Sequence, residues 1–156
     1  MVNIQPARPD HLDEIIAWLR AEDELTGEGF YCNRNVISSL FLEGDGLCAI
    51  SGESIVGFAV FQMFSEGGNV QIIEVQPLFR GHGIGSVLLL AAVDVLRCRS
   101  AHYVDVECTS PAGEALCRRH GFETYTDPKN YRSQWDNPTL RLYLSEWRPA
   151  PKSLWE

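Results

Sequence analysis

Val75-Gln76-Pro77-Leu78-Phe79-Arg80-Gly81-His82-Gly83-Ile84-Gly85-Ser86 is the stretch that decides how this 156-residue chain is read. An extended apolar segment stops at Pro77, glycines recur at positions 81, 83 and 85, and an apolar run then continues to Leu96. The pattern is a strand, a glycine-rich turn and the start of a buried helix, reading 83–96 as helical because it is apolar on nearly every side. A helix start leaves about four backbone N–H groups without partners, and the macrodipole adds partial positive charge there. Glycines remove the side chains that would hold a ligand away from those groups. The turn can therefore cradle a phosphate, with Arg80 at its mouth as a charge-assisted donor. The same glycines also suit a plain tight turn. A Walker loop is excluded because no Gly-Lys-Ser/Thr is present. A Rossmann fingerprint fits poorly: the spacing is G-x-G-x-G, three antiparallel strands precede it, and the acidic residue downstream, Asp105, falls inside a strand.

Working outward, residues 46–51, 55–64 and 70–75 read as a three-strand meander, turned by Gly52-Glu53-Ser54 and by Glu66-Gly67-Gly68-Asn69. Upstream, residues 2–5 suit an edge strand. A helix starts at Pro9-Asp10 with Asp10 as N-cap, and Leu12, Ile15, Ile16 and Leu19 give it one apolar face. Residues 21–35 read as an acidic loop or short helical turn, and 36–42 as a second short helix. Downstream, 102–108 alternates as a strand. Ser110-Pro111 opens a helix that Arg118, Arg119 and His120 finish and Gly121 caps, with Phe122 folding back. Residues 122–126 form a strand, 127–138 a polar loop, 139–147 an alternating strand and 148–156 a tail. One domain over residues 1–147 is expected, of α/β (α+β) class with one central mixed sheet.

Composition narrows the function classes. Thirteen basic residues against twenty-one acidic ones give a net charge of −8 and a pI near 5.0, which argues against a nucleic-acid partner and suits a cationic one. No apolar run approaches the ~20 residues of a membrane span. The N-terminus does not read as a signal peptide. Five cysteines without a CxxC pair suggest neither a disulfide framework nor a metal site, and point to free thiols in a reducing cytoplasm.

Arg80-x-x-Gly83-x-Gly85 resembles the R/Q-x-x-G-x-G/A motif of the GCN5-related N-acetyltransferases. The "V-x-P-x-x-R-G-x-G-I-G" setting, the apolar helix and Arg119-His120-Gly121-Phe122 closing the last helix are similar to that family too, over about residues 2–147. The resemblance implies a sheet of about seven strands flanked by about four helices, and acetyl-CoA as cosubstrate. It places the pyrophosphate on Arg80, Gly81, His82, Gly83, Ile84, Gly85 and Ser86, and the pantetheine beside Ile73 and Val75. The Val75 N–H would polarise the thioester carbonyl. Ser110 replaces the asparagine that contacts the cofactor at the last helix start.

Under the same resemblance the reaction is direct attack of a primary amine, on a small molecule or a peptide, on the thioester. Glu74 is the first candidate for general base, although strand alternation sets its side chain on the face opposite Ile73 and Val75; Asp105 and Glu107 are alternatives. Cys117 stands where the family places its acid, a tyrosine; Tyr103, Tyr125 and Tyr131 are other donors. The acidic segment with Glu22, Asp23, Glu24 and Glu28 would border the acceptor groove, which makes Glu24, Glu28 and Tyr31 substrate-binding candidates, with Phe30 and Trp135 lining the same groove. His11 and His120 read as helix-surface residues. Exposed apolar residues in 140–147 would permit a homodimer. The missing tyrosine keeps a second reading open: a non-catalytic acetyl-CoA-binding sensor. A scaffold without cofactor is the third, against which the intact turn argues.

Overall fold

Alternating apolar segments need a partner surface on each side, and here they share one sheet. The computed structural model describes residues 1–126 and 137–144. Its strands are β1 (Asn3–Pro6), β2 (Gly46–Ser51), β3 (Ser54–Phe64), β4 (Gly67–Val75), β5 (Tyr103–Glu107), β6 (Glu123–Tyr125) and β7 (Thr139–Tyr143). The helices are α1 (Leu12–Thr26), α2 (Arg34–Leu42), α3 (Ile84–Cys98) and α4 (Pro111–Arg119). The sheet order is β1-β2-β3-β4-β5-β7-β6. Every pairing is antiparallel except β4 with β5, so the sheet is mixed, as expected.

Each face of the sheet carries its own core. On one, Ile15 and Leu19 of α1 and Ile37 and Phe41 of α2 pack against Phe58, Val60 and Ile72. On the other, Leu88, Leu89, Ala92 and Leu96 of α3 meet Ala59, Val70 and Val104, joined by Cys117, Phe122 and Leu140. The α4 end matches its reading: the Ser110 hydroxyl accepts from Gly113 N–H (3.0 Å), and Phe122 N–H returns to the Cys117 carbonyl (3.1 Å).

Several readings are corrected. Asp10 is not a cap; Pro9–His11 is a single 3-10 turn before α1, and Asp10 pairs with Arg8 (2.9 Å). His11 is not a surface residue: it is 5% exposed, and its Nδ1 accepts from Arg8 N–H (3.1 Å). Helix α1 runs on to Thr26 before Gly27 stops it in a left-handed conformation, so Glu22, Asp23 and Glu24 are helical. Gly67, Gly68 and Asn69 are not a turn but the first residues of β4, the turn having shortened to Ser65-Glu66. A Cβ on Gly67 would lie 2.1 Å from the Tyr103 ring, and one on Gly68 2.7 Å from Leu96. Those glycines admit neighbours instead of bending the chain. Helix α3 is not apolar against protein all round, since Val87 and Leu90 face solvent. In β7, Leu140 is fully buried and Leu142 packs on the same core, so these are not exposed dimerisation residues. The strand reading past Leu144, the tail, most of the polar loop, Tyr131 and Trp135 lie outside the described residues. Among the described residues no helix is long and apolar enough to cross a membrane, and no group of three or more His, Cys, Asp or Glu could hold a metal ion.

Candidate active site

The site begins where two strands part. β5 pairs with β4 only from Gly67 to Asn69, which leaves the Val70–Val75 edge of β4 without a partner strand among the described residues. Gln76 N–H donates to the Val56 carbonyl on β3 (2.8 Å). Backbone direction alternates along a strand, so Glu74 bonds toward β3, whereas the N–H and C=O groups of Ile73 and Val75 face the open edge. A strand-like ligand arm could pair there.

The open edge leads into the glycine turn. Gly81 and Gly83 adopt φ of +82° and +81°, a left-handed conformation that side chains disfavour, and a Cβ on either would meet nothing within 4 Å. The first bond of α3 runs from Val87 N–H to the Gly83 carbonyl (3.2 Å), so the N–H groups of Ile84, Gly85 and Ser86 have no intrahelical acceptor. A Cβ on Gly85 would touch Leu116 at 3.5 Å and Val75 at 4.0 Å, which places the helix start against both α4 and β4. The open space, free donors and helix dipole together fit a diphosphate. His82 is exposed. Ser86 Oγ lies 3.0 Å from His120 Nε2, so His120 belongs to the edge of the cradle, not to a helix surface. Ser110 uses its oxygen as the α4 cap and keeps its O–H free to donate.

Arg80 lies across the mouth of this opening. Its Nε donates to the Val75 carbonyl (2.9 Å), and its Nη2 donates to Glu22 Oε1 and Oε2 (2.9 and 3.1 Å) and to Glu74 Oε1. Both carboxylate side chains are 10% exposed. Burial pushes the Glu74 carboxyl up to about 7; Arg80 pulls against that, and Glu22 adds to it. Glu74 is therefore not solvent-facing: it is a buried carboxyl, ion-paired with Arg80 and raised toward neutrality.

The other candidates are placed differently. Asp105 forms a bidentate pair with Arg141 (2.7 and 2.9 Å), and the rings of Tyr103 and Tyr125 lie 3.7 and 3.5 Å from that guanidinium. These are packing partners on the sheet. Glu107 is exposed. Cys117 is 3% exposed, and burial, with the neighbouring Cys108 thiol, pushes it up to about 12. Such a thiol is a weaker acid than a free one. Glu24 points to solvent with Arg20 (3.2 Å), Glu28 is exposed, and Tyr31 lies under Arg34 (4.4 Å). Of the acidic segment, Glu22 alone is seen joined to the motif. Its helical position carried the signal: Ile15, Leu19 and Glu22 follow one face of α1.

A family model described as the acetyltransferase (GNAT) family matches residues 11–122. No curated relative matches the chain by sequence. Among solved structures, the chain is similar to the PaiA N-acetyltransferase from Thermoplasma acidophilum in complex with coenzyme A, at 13% identity over 92% of this chain and 99% of that one, TM-score 0.72. It is similar to a GNAT-family acetyltransferase from Bacillus cereus at 21% identity over 95% and 99%, TM-score 0.71. It is also similar to the Drosophila melanogaster polyamine N-acetyltransferase at 14% identity over 92% and 100%, TM-score 0.73. With that match spanning most of its length, and with the parted strands and the glycine turn in place, the chain belongs to the GNAT family of acetyltransferases, whose cosubstrate is acetyl-CoA.

Proposed function

We propose that this protein is an acetyl-CoA-dependent N-acetyltransferase acting on a primary amine, carried by a small molecule or a peptide. One observation carries the reading: the unpaired edge of β4, the glycine turn and the buried Glu74 converge at the same end of the sheet. Gly81, Gly83, Gly85 and the first N–H groups of α3 would hold the diphosphate, with His82, Ile84 and Ser86 contributing backbone and Ser110 a hydroxyl. When bound, acetyl-CoA supplies an activated acetyl thioester.

The rest of the chemistry is the chain's own. Ile73 and Val75 offer backbone groups to an extended arm. The Val75 carbonyl is already held by Arg80, so its N–H is the group left to polarise a carbonyl. Glu74 takes the proton of the acceptor ammonium on a carboxylate oxygen. The net charge of −8 favours a cationic acceptor, with Glu24, Glu28 and Tyr31 as its proposed binding residues, since both Glu22 oxygens are taken by Arg80.

A second reading has one observation in its favour. Cys117, which the resemblance sets where the family has its acid, is buried and pushed up to about 12, which suits a binding protein without turnover. A thiol-release assay with acetyl-CoA and a panel of primary amines separates the two. Acetylation of at least one amine, lost in Glu74→Gln, is expected. Saturable coenzyme binding with no acetylation of any amine would overturn the enzyme reading.

A further inference from the structure

The Arg80 guanidinium divides its donors in a way the glycine turn alone does not require. Nη2 has two N–H groups. One is spent on Glu22 from α1 and the other on Glu74 from β4. Nε is spent on the Val75 carbonyl, and Nη1 has no protein partner among the described residues. One arginine thus joins the helix that walls the acceptor side, the candidate base, and the mouth of the anion cradle. Glu22 lies 58 residues before Arg80, so the pair is tertiary and ties α1 to the glycine turn.

We propose that Glu22 is a positioning residue for the reaction: by sharing Arg80 Nη2 with Glu74, it limits the arginine's grip on the base and keeps that base able to accept a proton. The proposal rests on the acetyltransferase reading, but its geometry stands without it. If Glu74 were the sole carboxylate on Arg80, the ion pair would hold it as a charged, weakly basic group. A second carboxylate on the same nitrogen divides that attraction and adds like-charge repulsion. The charged groups acting on Glu74 come from two elements, Arg80 from the turn and Glu22 from α1. The paired stretch of β3 contributes Gly57, Phe58 and Ala59, which carry no charge.

Removing each partner therefore moves Glu74 in opposite directions. Carboxyl-carbon NMR of protein labelled with 13C at the glutamate side-chain carboxyl follows this, with Glu74→Gln identifying the resonance. The Glu74 midpoint falls in Glu22→Gln and rises in Arg80→Gln, each by about half a pH unit or more. Glu22→Asp, which keeps the charge, returns the midpoint toward wild type. Asp23→Asn removes an equal charge from the next residue of α1 and leaves the midpoint in place. The acid limb of kcat/KM follows the same shifts. A Glu22→Gln midpoint equal to wild type, or one matched by Asp23→Asn, would overturn the proposal. The titration uses neither acetyl-CoA nor an amine, so a protein that transfers no acetyl group still answers it. In an active protein, an unmoved midpoint removes the role of Glu22 and leaves that of Glu74 standing.

Discussion

Glu74 and Cys117 show how a residue's surroundings decide its chemistry. Both were legible as candidates from position in the sequence, but burial could not be read there. Alternation correctly set Glu74 on the face opposite Ile73 and Val75; what it could not supply was Glu22, brought from α1 to enclose it. The consequence for pH is definite. If Glu74 is the proposed base it must be deprotonated to act, so kcat/KM is expected to rise as pH climbs through about 7, and Glu74→Gln to lower it about 10²–10⁴-fold while removing that limb. Stability moves the other way. The folded-state value lies above the ordinary 4.5, so the folded chain binds the extra proton. The contribution is fully present below the ordinary 4.5 and is lost as pH rises from there through about 7. Thermal melts at about pH 5 and about pH 8 should therefore differ more in wild type than in Glu74→Gln. Cys117, held protonated in the core, fills space. Cys117→Ala should destabilise the fold by about 1–2 kcal/mol and change kcat by less than about threefold, far short of a working acid. A larger loss of rate at unchanged stability would return Cys117 to the chemistry.

At the scale of elements, apolar patterning together with cap and turn residues located the seven strands and four α-helices of the described residues, with α1 and β4 read too short. It failed where a residue's reason was tertiary. Gly67 and Gly68 read as a turn, since glycine pairs favour turns, yet they are strand residues made small by the Tyr103 ring and Leu96. These two glycines, with Asn69, are also the β4 residues that pair with β5, so the strands part just past glycines the sequence disguises. Gly67→Ala should drive the Tyr103 ring from its place, loosen its stacking on Arg141 (3.7 Å) and cost about 1–3 kcal/mol. Chemical denaturation checks this, and an unchanged midpoint would show that the ring relaxes freely. Residues 21–35 were legible only as an acidic loop or short helical turn, whereas α1 runs on to Thr26. The charged residues after Leu19 hide a helix whose buried stripe ends in a carboxylate, not an aliphatic side chain.

For the molecule as a whole, two cores on opposite faces of one sheet hold the parted edges of β4 and β5 in place, and α3 starts beside Val75 at the far end of the open β4 edge. The order of elements made one central mixed sheet legible, and the resemblance carried by Arg80-x-x-Gly83-x-Gly85, its setting and the Gly121-Phe122 pair supplied the rest of the fold. The acceptor was not legible, because loops and helix ends build its groove. The account's central claim is that the glycine turn and the open edge of β4 form one acetyl-CoA site. Calorimetric titration of the protein with acetyl-CoA, beside Gly83→Trp, tests it most directly, with thermal melts confirming that both are folded. The account predicts saturable one-to-one binding by wild type and its loss in Gly83→Trp, whose side chain would enter the open space of the cradle. No binding by wild type, or equal binding by the folded variant, would contradict it.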